Sequence, residues 1–118
     1  MSAGYGLSVR WSLADAPEGV EAALREYVVG ESMGKFARRE GLSFKTWRMR
    51  EGEWFEGTYV WATRAARDSF AQTFAAEAAT SPGSKIIGSA PELIEPFEVV
   101  AIAEGPSGFS YGAGPGEM

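Results

Sequence analysis

The run GLSFKTWRMREGEWFEGTYVWAT, Gly41–Thr63, holds two stretches suited to β-strands, Leu42–Met49 and Trp54–Trp61. Both are dense in aromatic and β-branched residues, and Glu51-Gly52 between them predicts a two-residue hairpin turn. With that turn, Arg48 stands opposite Phe55, Trp47 opposite Glu56 and Phe44 opposite Tyr59. Alternation along each strand then puts Leu42, Phe44, Thr46, Phe55, Gly57, Tyr59 and Trp61 on one face. Lys45, Trp47, Met49, Trp54, Glu56, Thr58 and Val60 share the other. Large apolar groups on both faces predict that both are covered, one by this chain's helices and one by a second sheet. The sequence leaves open which is which. With 118 residues the chain is too short to supply that second sheet itself, which predicts a partner subunit.

On either side the chain alternates element types. Leu7, Val9, Trp11 and Leu13 alternate with Ser8, Arg10 and Ser12, a half-buried strand. Asp15 is a helix-cap candidate, with Pro17 and Glu18 in the first turn and Val20, Leu24, Tyr27 and Val28 on one stripe. A second piece with Met33, Phe36 and Ala37 extends this to a long helix with a weak point at Gly30, stopping at Gly41. Arg38 and Arg39 suit its C-terminal turn. Thr63 caps a second helix bearing Ala66, Phe70 and Phe74, which ends before Ser81-Pro82-Gly83. Ser84–Glu92 reads as a connector and Leu93–Ala103 as a strand, with Pro96 at an edge or early in its pairing. The order is β-α-β-β-α-β, the ferredoxin-like arrangement, an α+β sandwich in one domain over residues 1–104. Residues 105–118, rich in Gly and Pro, read as a flexible tail or an arm that orders against a partner.

The chain contains no His and no Cys, and no Asn occurs in it either. Histidine bases, Ser-His and Cys-His pairs, His-ligated haem and Cys/His zinc sites are therefore excluded. The lack of Cys makes the cytoplasm the default compartment. The N-terminus has neither the basic start nor the apolar core of a secretory signal, and no apolar run is long enough for a membrane span. A net charge of −5 opposes nucleic-acid binding, and no strand carries the basic-Gly-aromatic stacking signature of an RNA module.

The segments GLSFKTW, FEGTYVW and PGSKIIGSAPELIEPFEVV, set in this element order, resemble the YdhR-type monooxygenase-like family of the dimeric α+β barrel superfamily. Gly41, Leu42, Lys45, Trp47, Gly57, Tyr59 and Trp61 match the family's hairpin pattern, and Glu56 departs from it where a glycine is usual. The resemblance covers residues 7–103. It implies a homodimer closing two sheets into a barrel, with a pocket in each subunit between sheet and helices. It also implies an enzyme that oxygenates aromatic or polyketide-like molecules with dioxygen as co-substrate and without metal, flavin or other cofactor.

The residues themselves support several roles. Tyr59 needs a hydrogen-bond partner if buried, and is the best aromatic candidate for proton donation to a substrate oxygen. Lys45 either snorkels past Trp47 to solvent or holds a phenolate or enolate oxygen. Glu56 is a solvated edge carboxylate, an interface ion pair, or, inside a pocket, the base for an acidic C–H or phenol. Trp47, Trp61 and Phe44 on the hairpin, and Phe70, Phe74 and Tyr27 on the helices, serve as core or as substrate-binding walls. The leading expectation is a cofactor-independent monooxygenase acting on a small hydrophobic substrate through an enolate or phenolate. A cyclase or isomerase using the same pocket, and a non-catalytic ligand-binding dimer, are the alternatives.

Overall fold

A computed structural model describes residues 3–111. The elements are β1 (Gly4–Ser12), α1 (Val20–Tyr27), a π-helical turn (Val28–Ser32), α2 (Met33–Ala37), β2 (Leu42–Arg50), β3 (Trp54–Trp61), α3 (Arg64–Glu77), a 3₁₀ turn (Ala78–Thr80), α4 (Pro82–Ile87) and β4 (Leu93–Val99). It is a small α+β domain. Its four strands form one antiparallel sheet in the order β2-β3-β1-β4. Pro96 lies on β4, an edge strand, where its missing amide is tolerated.

The hairpin forms with a register one residue away from the expected one. The loop has three residues, Glu51, Gly52 and Glu53, closed by the Glu53 N–H donating to the Arg50 carbonyl at 2.9 Å. Gly52 occupies the left-handed region at φ 77°, which a residue without Cβ adopts freely. The added loop residue makes Lys45 face Tyr59, Trp47 face Gly57 and Arg48 face Glu56. A one-residue shift moves every side chain of β2 to the opposite face relative to β3. Lys45, Trp47 and Met49 therefore join Phe55, Gly57 and Tyr59, while Phe44 and Arg48 join Glu56 and Thr58. A bulge at Ser43, between Leu42 and Phe44, returns Leu42 to a position opposite Trp61.

The helices cover the face carrying Leu7, Val9, Trp11, Phe55, Tyr59 and Trp61, and these side chains form the core with Leu24, Phe36, Phe70 and Ile87. Thr63 caps α3 as expected, its hydroxyl accepting from the Ala66 N–H at 3.1 Å. Arg67 fastens α3 to the strands by donating to the carbonyls of Gly6 and Phe97. The first helix differs from expectation. It starts at Val20, so Asp15 and Pro17 lie in the preceding loop. Near Gly30 it widens into the π-helical turn rather than breaking.

The expected connector Ser84–Glu92 instead contains part of α4. Ser81 caps this helix, accepting from the Ser84 N–H, with Pro82 at its start and Gly88 just past its end at φ 88°. Ser84 also accepts from Trp11 Nε1 at 2.9 Å, tying α4 to β1. β4 ends at Val99, short of the expected Ala103. Val100 to Tyr111 is irregular, with one turn closed by Gly108 N–H on the Gly105 carbonyl, and residues 112–118 of the expected tail lie outside the described residues. Among the described residues no helix is long and apolar enough to cross a membrane.

Candidate active site

Between the sheet and the helix layer lies a cavity of about 270 Å³. Trp11, Lys45, Trp47, Phe55, Gly57 and Tyr59 supply its sheet side. Tyr27, Ser32, Lys35, Phe36 and Arg39 line it from α1, the π turn, α2 and the residues just after α2, and Phe70, Thr73, Phe74 and Glu77 from α3. Thr80 to Gly83 close the remaining side.

The register of the hairpin creates its chemistry. Because Lys45 and Tyr59 are cross-strand partners, Lys45 Nζ donates to Tyr59 Oη at 3.0 Å. Three rings surround the same nitrogen, with centroids at 3.6 Å for Phe36, 4.2 Å for Tyr59 and 4.5 Å for Trp47. Gly57 makes room for it, since a Cβ there would stand 3.2 Å from Lys45 Cε. Among the described residues no carboxylate pairs with Lys45. Burial, with a smaller contribution from the nearby Lys35 charge, pushes its amine well below the ordinary lysine range. Burial, reinforced by Tyr27 and opposed by Arg39, pushes the Tyr59 phenol above its ordinary value. The site thus pairs an amine that gives up its proton readily with a phenol that keeps its own.

Of the side chains singled out from sequence, Lys45, Tyr59, Trp47, Phe70, Phe74 and Tyr27 converge on this cavity. Trp61 does not line it. It is 1% exposed, stacked on Tyr59 and tilted against Phe70, and its Nε1 has no hydrogen-bond partner among the described residues. Phe44 is on the opposite face, 37% exposed, because the three-residue loop turned it there.

Glu56 shares that opposite face and is neither the solvated edge group nor the pocket base. It is buried, accepting from Arg10 Nε at 3.0 Å and Arg48 Nε at 2.6 Å, with Thr58 Oγ1 donating at 3.2 Å. The Trp54 ring lies against both guanidiniums, its centroid 4.1 Å from Arg10 Cζ and 5.2 Å from Arg48 Cζ. Burial alone would raise the Glu56 carboxyl, but the hydrogen bonds and charges of Arg48 and Arg10 outweigh it and hold the pKa below the ordinary range.

Sequence reasoning passed over Phe36, Lys35, Arg39 and Glu77 as site residues. Lys35, Phe36 and Arg39 sit at helical spacing around α2, a pattern that reads equally as a solvated helix end. A second, wider depression of about 800 Å³ lies beyond Lys45 and Trp47, where Val28, Val29 and Met33 meet β2 and Phe109 and Tyr111 of the C-terminal segment. Among the described residues no group of three or more carboxylates is placed to hold a metal ion.

No protein-family model and no curated protein sequence matches the chain. It is similar to the crystal structure of the NE2512 protein of unknown function from Nitrosomonas europaea. The two share 25% identity with a TM-score of 0.59, over 89% of this chain and 96% of that one. The likeness extends to nearly the whole fold and carries no activity with it.

Proposed function

We propose that the chain is a cofactor-independent enzyme that binds a small aromatic molecule in the sheet–helix cavity and works through its phenolate or enolate. The observation that carries this reading is the Lys45–Tyr59 pair: a half-buried amine without a carboxylate partner among the described residues, ringed by aromatic groups and joined to a phenol. A neutral amine takes the proton of a phenol or enol, and the ammonium so formed stays to hold the oxyanion. Tyr59, still protonated, donates a hydrogen bond to the same oxygen. The surrounding rings exclude water and leave the anion electron-rich.

With dioxygen as co-substrate, an activated ring CH₂ gives up its second electron pair to oxygen through a carbon-bound hydroperoxide. Loss of water leaves a ketone, so that CH₂ and O₂ become C=O and H₂O. Resemblance of the hairpin to the YdhR-type family favours this oxygenation over isomerisation, which would use the same anion without oxygen. The strand order β2-β3-β1-β4 supports a ferredoxin-like half-barrel, and a homodimer closes the barrel.

An oxygen electrode with anthrone as substrate tests the reaction. Uptake that Lys45→Met and Tyr59→Phe each abolish, with circular dichroism unchanged, is the expected result. Anthrone binding without uptake would make the protein a ligand carrier. A monomer by sedimentation at micromolar concentration would remove the barrel.

A further inference from the structure

We infer that Lys35 and Arg39 form a carboxylate subsite at the mouth of the cavity, so that the ligand is an aromatic acid with its ionisable hydroxyl at the far end. This rests on the reading of Lys45 and Tyr59 as the oxyanion site and adds a second anchor to it.

The charge distribution carries the inference. The chain has 11 lysines and arginines against 16 acids. Arg10, Arg25, Arg48, Arg50 and Arg67 are each paired with a carboxylate. Lys35, Arg38, Arg39, Lys45, Arg64 and Lys85, by contrast, have no carboxylate partner among the described residues, and three of these six, Lys35, Arg39 and Lys45, line one cavity. The Lys35 charge disfavours protonation of the Lys45 amine, and a bound anion would offset it once that amine takes up a proton. The three basic side chains are set at two depths. Lys45 is held among the rings of the floor, whereas Lys35 and Arg39 are exposed, four residues apart, at the solvent side.

Arg39 is positioned rather than loose, its Cζ 5.2 Å from the Phe70 ring centroid. A guanidinium so placed offers two parallel N–H donors, the geometry that matches a carboxylate. Among the described residues Glu77 is the one carboxylate lining the cavity, on the α3 wall, and it disfavours a second acid there. The cavity volume lies just below the range of about 300–1,000 Å³ usual for small-molecule sites, which suits two fused rings rather than four.

The experiment compares 2-naphthol with 6-hydroxy-2-naphthoate, which carries its hydroxyl and carboxylate at opposite ends, by calorimetric titration. The expected result is affinity about tenfold or more higher for the hydroxy acid. That advantage falls to within about twofold in Lys35→Gln/Arg39→Gln and in high salt. In Lys45→Met both probes weaken together. Equal binding of the two probes by the parent protein, or an advantage that survives in the double variant, overturns the mouth subsite while leaving the Lys45–Tyr59 reading in place. Failure of both probes to bind the parent protein overturns the two readings together.

Discussion

Replacing Lys45 by Met should leave the protein as stable as the parent or more stable at pH 7, although it deletes a partly buried hydrogen bond. Met keeps the length of the stem and removes the charge. Taking an ammonium out of water costs several kcal/mol. Against this stand one hydrogen bond to Tyr59, about 1.5–3 kcal/mol for a charged donor, and three ring contacts of about 0.5–2 kcal/mol each. The lowered pKa of the amine says that the cost wins. Each unit below the unfolded value of about 10.4 is roughly 1.4 kcal/mol carried by the native state while the amine is charged. In the variant the Tyr59 hydroxyl loses its partner, but the adjoining cavity admits water to replace it. The net expectation is a gain of about 1 kcal/mol.

The pH dependence gives the sign check. Between the folded and unfolded pKa values of Lys45 the unfolded chain binds more protons, so parent stability rises with pH there. The advantage of Lys45→Met should therefore shrink as pH rises from 7 towards 10. Urea midpoints of both proteins across that range provide the measurement. A variant less stable by about 2 kcal/mol at pH 7, or a gap that widens with pH, would refute the account of Lys45 as an uncompensated charge.

Glu56→Gln should cost about 1–3 kcal/mol, less than a fully buried pair because the Arg48 side chain is 58% exposed. The Glu56 contribution is fully present above its unfolded pKa of about 4.3 and is lost as pH falls through the lower folded value. The gap between parent and variant at pH 7 should close in acid, and equal gaps by urea titration at pH 7 and in acid would contradict this. Gly57→Ala should change the melting temperature by no more than a few degrees while weakening 2-naphthol binding about tenfold, because the new methyl meets Lys45 Cε and Tyr59 Cε1 at 3.2 and 3.5 Å. Unaltered affinity would show that this part of the floor is not used.

The strands and α3 were legible because their patterns are strong. Alternating Leu7, Val9, Trp11 and Leu13, the aromatic hairpin and the Thr63-capped Phe70 and Phe74 stripe each signal one element. The contents of the site were less legible, because they hang on a single loop residue. Counting Glu53 into the strand put Trp47 opposite Glu56 and left a solvated edge group, an interface ion pair and a pocket base all open for that carboxylate. Counting it into the loop gives Lys45 to Tyr59 and Glu56 to the arginines. Nothing in the composition of Glu51-Gly52-Glu53 decides between the two. α4 was passed over because Ser81-Pro82-Gly83 reads as a stop, although Ser before Pro is equally how a helix starts. Lys35 and Arg39 gave no site signal of their own, since only the path of the chain through the π turn brings α2 over the sheet.

That turn lets the helix take up a change of length without losing its hold on the cavity. Five residues, Val28–Ser32, take a wider winding between two ordinary helical pieces. Losing one of them would restore regular winding and leave everything beyond nearly in phase, because the wider turn absorbs one extra residue. Lys35, Phe36 and Arg39 would keep their side of the cavity, as would the sheet, Lys45, Tyr59 and α3. Descendants of one ancestral chain could thus gain or shed a residue near Gly30 with the charged doorway and the reacting floor both inherited unchanged.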